Sequence, residues 1–434
     1  RLEQRGIEAL EAPQKRDEAT FELGGMLFFD PLLSGHRDIS CATCHHPTEN
    51  TTDGRSLSVG TDWIRDEEGR RVPGPEEKFV ARNVQDLYNR GHEGWRTQFR
   101  DTRIEQTGPG AFVFHRHAGD ASSGAASRKP LPDGLDNVVA AQALIPLTGR
   151  DEMRGDVGDI DRFGEPNEIG AVSGSNFEGV WRAVLARLKA VPRYRKLFAE
   201  AFEGVDMKTG EGMTIVQCAN AIGAFEIEAF TFLDSPFDRF LAGERDALSE
   251  KAARGGLVFY GKAGCGECHS GALMTDQRVH NIGVPQVGPG KMPGAPLDQG
   301  ASLRTHAESS KQFAFRTPPL RNVELTGPYM HNGAYTSLEQ AVRHHLDPEG
   351  TLREYGAERL EPRLESWAHT ETVTRRLVDR TRSPLLEPTV KAELTDEEFD
   401  ELIAFLKALT SPSALDTTHL VPEEVPSGIE QVEP

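Results

Sequence analysis

The sequence predicts a mainly α-helical protein of two similar domains with long irregular loops, and three observations carry that expectation. A pentapeptide Cys-x-x-Cys-His occurs twice, as Cys41-Ala42-Thr43-Cys44-His45 and Cys265-Gly266-Glu267-Cys268-His269. Each copy follows an apolar run opened by a glycine pair, Gly24-Gly25-Met26-Leu27-Phe28-Phe29 and Gly255-Gly256-Leu257-Val258-Phe259-Tyr260, which marks an internal duplication. The apolar residues between and beyond these copies recur mainly at three-to-four spacing, the helical period. A chain of 434 residues also exceeds one compact core. The expected division is residues 1–234, 235–410 and an extended or disordered tail at 411–434.

In chain order, residues 1–17 are charged and read as a mobile lead-in or a poorly anchored helix. A helix follows from Glu18, ending before Pro31. Its glycine pair costs about 1 kcal/mol per residue relative to alanine, which close crossing by another helix would offset. The span 62–78 carries Gly69, Pro73, Gly74 and Pro75 and reads as an exposed loop; 119–134, rich in Gly, Ser, Ala and Pro, reads as a flexible insertion. Helices are expected at about 177–202 and 214–233, with the second domain opening near Ser235. Residues 283–300 form another Gly/Pro loop. The last helix starts at the capping box Thr395-Asp396-Glu397-Glu398 and runs to about Leu409. Past 410 the composition is proline-rich, acidic and free of aromatics.

Two thiols two residues apart with an imidazole directly after them suit thioether attachment of haem, the histidine then serving as axial ligand. A four-thiolate zinc site or a redox dithiol would use the cysteine pairs but leave both following histidines unexplained. Cys41, Cys44 and His45 are therefore expected to hold one covalent haem c, and Cys265, Cys268 and His269 a second. The domains are then cytochrome c-like, each wrapped on its haem. The fifth cysteine, Cys218, lies in an apolar run and reads as a core thiol. The net charge of -19 argues against nucleic acid and anionic membrane as partners. No run reaches the roughly 20 apolar residues of a membrane-spanning helix. Covalent haem of this kind implies export, in a bacterium to the periplasm.

The run Leu23-Gly24-Gly25-Met26-Leu27-Phe28-Phe29-Asp30-Pro31-Leu32-Leu33-Ser34, the first haem motif, Thr52-Asp53-Gly54, Arg82-Asn83, Glu152-Met153 and Thr317-Pro318-Pro319-Leu320-Arg321-Asn322-Val323 through Pro328-Tyr329-Met330-His331-Asn332-Gly333 together resemble the bacterial di-haem cytochrome c peroxidase and MauG superfamily. The resemblance spans about residues 18–410. It implies that the haem at His45 meets hydrogen peroxide, that the haem at His269 relays electrons, and that Glu152 manages the proton while the oxygen–oxygen bond breaks. A glutamate in an apolar pocket, its pKa moved toward neutrality, could serve as base and then acid. The resemblance further implies a calcium ion between the domains, with Asn83 among its ligands.

Three departures stand out. Thr61 occupies the place of a histidine that blocks the first haem in reductively activated peroxidases, so that haem is expected to be open in the ferric protein. Gly327 precedes Pro328-Tyr329 where the family places a methionine ligand, leaving Tyr329, or alternatively Met330, as the expected sixth ligand of the second haem. Arg100 stands at the place of an inter-haem tryptophan, with Trp95 a nearby candidate electron relay or core aromatic. His46 and His331 read as hydrogen-bonding or core histidines. The expected function is MauG-like: peroxide reacts at the first haem, and oxidising equivalents shared with the second oxidise a residue of a protein substrate at a distance. The alternatives are peroxide detoxification with a small cytochrome or cupredoxin donor, and a non-catalytic electron carrier or redox sensor.

Overall fold

The computed structural model describes residues 7–75, 77, 79–116, 127–291, 297–304, 311–356, 360, 364 and 392–432. In the first half, helices α1 (Glu18–Phe29), α2 (Cys41–Cys44), α3 (Val138–Ala143), α4 (Phe177–Ala190), α5 (Pro192–Ala201) and α6 (Ile215–Ala229) enclose one large apolar core. The second half contributes α7 (Pro236–Leu241), α8 (Glu250–Phe259), α9 (Leu338–Leu346), α10 (Pro348–Arg353) and α11 (Asp396–Lys407), with a core of its own. A third cluster joins the halves, packing Leu57, Val59 and Phe79 against Val284, Val287 and Tyr335.

The glycine pairs explain the duplicated helix crossing. A Cβ on Gly24 would stand 2.0 Å from the Ala221 carbonyl oxygen of α6, and one on Gly255 would stand 1.8 Å from the Glu401 carbonyl oxygen of α11. In each copy a phenylalanine, Phe225 or Phe405, lies over the second glycine. Backbone contact of this closeness excludes any side chain, so the propensity lost by two glycines is returned as packing.

Five expectations need correction. The fold is predominantly helical but mixed, with three small antiparallel sheets: β1 (Trp63–Arg65) with β2 (Arg71–Pro73), β3 (Thr97–Gln98), β4 (Ile104–Gly108), β5 (Ala111–Arg116) and β6 (Ser127–Pro130) in that order, and β7 (Val279–His280) with β8 (Phe315–Arg316). The supposed insertion at 119–134 therefore supplies strand β6, whose register pairs Phe114 with Lys129; residues 119–126 lie outside the described residues. The lead-in is anchored, because Ile7 is buried in the second core and Leu10 in the first. The segment 411–432 carries two 3-10 turns, Pro412–Leu415 and Thr418–Leu420, and is tied to the first half. Its Val425 is buried, Ser427 donates through Oγ (2.6 Å) and N–H (3.1 Å) to the Asp30 carboxylate, and the Thr417 hydroxyl donates to Pro47 O. The expected helix at 177–202 is two helices, since Pro192 has no N–H to continue the first and opens the second.

Candidate functional site

The first motif begins on α2, a single turn on which Ser40 and Thr43 form a reciprocal cap. The turn ends at His45, whose Nδ1 is 3.1 Å from Thr51 O, a contact that orients the ring with Nε2 forward. Cys41, Cys44 and His45 line a cavity together with Gln142, Pro146 and Glu152. Burial pushes the Cys44 thiol up to about 12 and the His45 imidazole down to about 4, so both are neutral at neutral pH.

Glu152 is carried on a π-helical turn, Arg150–Arg154, a form that recurs at functional sites because it re-aims side chains within a helical path. Two loops fasten it: Gly35 N–H donates to Met153 O at 2.6 Å and Thr61 N–H donates to Glu152 O at 2.9 Å. The second loop approaches so closely that a Cβ on Gly60 would lie 1.9 Å from Asp151 O. Lys291, arriving from the Gly/Pro loop of the second half, places Nζ 3.3 Å from Glu152 Oε1. Burial opposes ionisation of Glu152, but the Lys291 ammonium, with Arg103 behind it, outweighs burial and holds the carboxyl below its usual range. The expected shift toward neutrality is thereby corrected: Glu152 faces the cavity as a carboxylate.

Thr61 donates its hydroxyl to Asp38 Oδ1 at 2.7 Å and pairs with His36 Nδ1 at 2.9 Å, which commits it away from any ligand role. Asn83 is also committed. Its Oδ1 and main-chain oxygen accept from the Arg100 guanidinium at 2.5 and 3.1 Å, and its amide donates to Arg55 O. The expected calcium ligand is thus satisfied by a guanidinium, whose positive charge opposes a second cation there. Trp95 is buried between the halves with Arg90 and Arg316 over its ring at 4.6 and 5.0 Å. Two cations against the ring raise the cost of withdrawing an electron, so the geometry favours a core role for Trp95 over a relay.

In the second motif Cys265 and Cys268 lead to His269, whose Nδ1 is 3.2 Å from Met274 O. Burial lowers His269 to about 4, as at His45. The expected ligand Tyr329 is turned elsewhere: its hydroxyl donates to Val323 O at 3.1 Å and Glu324 O at 3.3 Å. Met330 packs in the apolar cluster between the halves with Leu57 and Val59. Among the described residues one group of three potential metal ligands exists, Cys268, Asp276 and His280, and it draws on a motif thiol already needed for haem. Cys218 is buried in the first core, His46 caps the turn after His45 through Thr48, and His331 stacks on Phe315 at 3.6 Å.

The cavity at the first motif fits haem in a further respect, since Arg90 lines it and Arg316 stands on the same Trp95 ring. Nη1 of Arg90 and of Arg316 are buried without hydrogen-bond partners, and a porphyrin's anionic propionates would satisfy such guanidinium atoms. Sequence reasoning missed these arginines, Lys291, and Gln142 and Pro146 of the cavity. Only their convergence in space distinguishes them from other polar or loop residues.

A family model described as di-haem cytochrome c peroxidase matches residues 18–246. The methylamine utilization protein MauG of Methylorubrum extorquens is 29% identical over 324 residues, covering 75% of this chain and 67% of that protein. The cytochrome c551 peroxidase of Pseudomonas aeruginosa is 28% identical over 333 residues, covering 76% and 72%. Among solved structures, a MauG-like protein associated with microbial copper homeostasis superposes with a TM-score of 0.60 at 25% identity, covering 96% of this chain and 97% of that one. The chain is accordingly a peroxidase-type oxidoreductase that reacts with hydrogen peroxide. It belongs to the di-haem cytochrome c peroxidase family, and that membership implies covalently bound haem c.

Proposed function

We propose that the chain reduces hydrogen peroxide in the His45 cavity, drawing electrons from a small cytochrome or cupredoxin through a second haem at His269. Cys41 and Cys44 would hold the first haem and Cys265 and Cys268 the second, in an exported, periplasmic protein. Bound haem supplies an iron that takes up peroxide and accepts electrons. Each peroxide consumes two electrons from the donor and two protons from solvent and leaves as two waters.

The observation that carries this reading is the Glu152 carboxylate, held over the same cavity that His45 lines. An ionised carboxylate takes the proton from one peroxide oxygen and, once protonated, delivers it to the other. Lys291 keeps the group ionised before peroxide arrives. The π-turn, fastened by Gly35 and Thr61, fixes where the carboxylate stands. The bound Thr61 hydroxyl supports a first haem open to peroxide without prior reduction.

The test is to mix ferric protein with one equivalent of peroxide, following high-spin EPR and Soret absorption, and then to add reduced cytochrome c. Consumption of two reduced cytochromes per peroxide is expected, together with a slowing of the first step by about 10²- to 10⁴-fold in Glu152→Gln. An unchanged first step in that variant would remove Glu152 from the mechanism. Oxidation of a protein residue at a distance is the second reading, favoured by the open first site; donor-independent decay with a modified aromatic residue in a partner protein would establish it instead.

A further inference from the structure

We propose that His345 is the second axial ligand of the iron held by His269. The inference rests on the di-haem reading and deepens it.

Helix α9 is set by a capping box in which Ser337 and Gln340 satisfy each other's backbone groups. Its buried residues are Leu338, Ala341 and His344. His345 lies seven residues after the first and four after the second, so helical period puts it on that face between them. The residue is nevertheless exposed. Accessible surface on an inward-facing residue is room that a bound group would fill.

The ring centres of His345 and His269 are 6.4 Å apart, with planes inclined by 60°. This is the spacing that two imidazoles need on opposite sides of one metal. A metal–imidazole bond of roughly 2.0 Å, plus about 1.2 Å from nitrogen to ring centre, taken on both sides, comes to about 6.4 Å. Both rings are also oriented alike. His345 Nδ1 bonds Ala341 O at 2.8 Å and His269 Nδ1 bonds Met274 O at 3.2 Å, the backbone contact that leaves Nε2 as the coordinating nitrogen. His45 has the same signature through Thr51 O.

The competing side chains are spent. His344, one residue earlier, uses Nδ1 on Tyr335 and Thr351 and Nε2 on Ile282 O. Tyr329 bonds backbone carbonyls, and His280 is paired with Asp276 at 2.8 Å. Two neutral imidazoles make the second haem low-spin and closed to peroxide, and they lack the thioether that raises a haem's potential. That suits a relay.

The test uses the holoprotein, with haem content first measured as pyridine haemochrome. Two haems per chain confirm the di-haem basis; fewer would overturn that basis, and the ligand assignment with it. In the ferric protein we expect one low-spin haem without the near-infrared band of a thioether ligand. His345→Ala should convert that haem to high spin, with external imidazole restoring the low-spin signal. His345→Met should introduce the thioether band and raise the midpoint potential of the second haem alone. If His345→Ala yields too little protein, the methionine variant carries the test. A low-spin signal unchanged in either variant, or one lost in Tyr329→Phe instead, would refute the assignment.

Discussion

Substituting Gly60 by alanine should slow the peroxide reaction far more than it destabilises the protein. Gly60 touches the main chain of the turn that bears Glu152: its Cβ would stand 1.9 Å from Asp151 O and 2.8 Å from Glu152 O. Side-chain carbons essentially never approach closer than 3.0 Å, so the turn or the loop must retreat by about 1.1 Å. Overpacking of this kind costs about 1–3 kcal/mol. A displacement near 1 Å at a proton-transferring group costs on the order of 10²-fold in rate. The assay is stopped-flow Soret absorption of ferric protein with peroxide, beside a thermal melt. Gly69→Ala is the control. That glycine has φ +81° with nothing within 4 Å, so its variant bears a left-handed backbone cost of about 1–2 kcal/mol and should keep its peroxide rate. Equal rates in Gly60→Ala and the unmodified protein, at a lowered Tm, would refute the idea that this contact positions Glu152.

Other consequences are as direct. Lys291→Met removes the charge that overrides burial at Glu152, so the acid limb of the peroxide rate should move to higher pH; an unmoved limb would show that Lys291 does not hold the carboxylate. Glu226 is buried with Oε2 unpartnered, and burial pushes it up to about 8, against a smaller opposing pull from Arg90. An acid raised in the fold weakens the fold as pH rises from its unfolded value toward about 8. Glu226→Gln should therefore gain stability over the native protein between pH 5 and 8, reaching about 3–5 kcal/mol and read as a raised Tm, and should gain little at pH 4. Gly255→Ala meets Glu401 O at 1.8 Å and should cost more than the ~1 kcal/mol that alanine returns in helix propensity; a variant with raised Tm would contradict the crossing described for α8 and α11.

The parts of the fold legible in the sequence were those whose cause is local. The glycine pairs, the Thr395 capping box and the cysteine motifs each state their geometry within a few residues, and α1, α8 and α11 lie where those signals put them. The four-stranded sheet was hidden because its strands are two to six residues long and one of them, β6, sits in a segment of linker-like composition. Residues 411–432 looked incapable of order because they lack aromatics, yet a few placed contacts suffice where the other half of each bond is a buried Asp30 or a backbone oxygen. At the site, Glu152 was found through the order of motifs along the chain. Its charge state was not, because that depends on Lys291, 139 residues away. Tyr329 was chosen for its chemistry as a ligand, and chemistry alone says nothing about a hydroxyl already bonded to Val323 O.

The return of residues 411–432 couples the first haem motif to the second half. This segment leaves α11 of the second half and crosses to the first, where Thr43, inside the first Cys-x-x-Cys-His, donates to Val432 O at 3.4 Å. The first cofactor-attachment segment is thus latched by a residue 389 positions further along the chain. The strap therefore adds to the cluster of Leu57 with Val287 and to the Lys291–Glu152 pair in holding the two halves together, and a break at Ser427 or Thr417 would loosen the first cofactor-attachment segment itself.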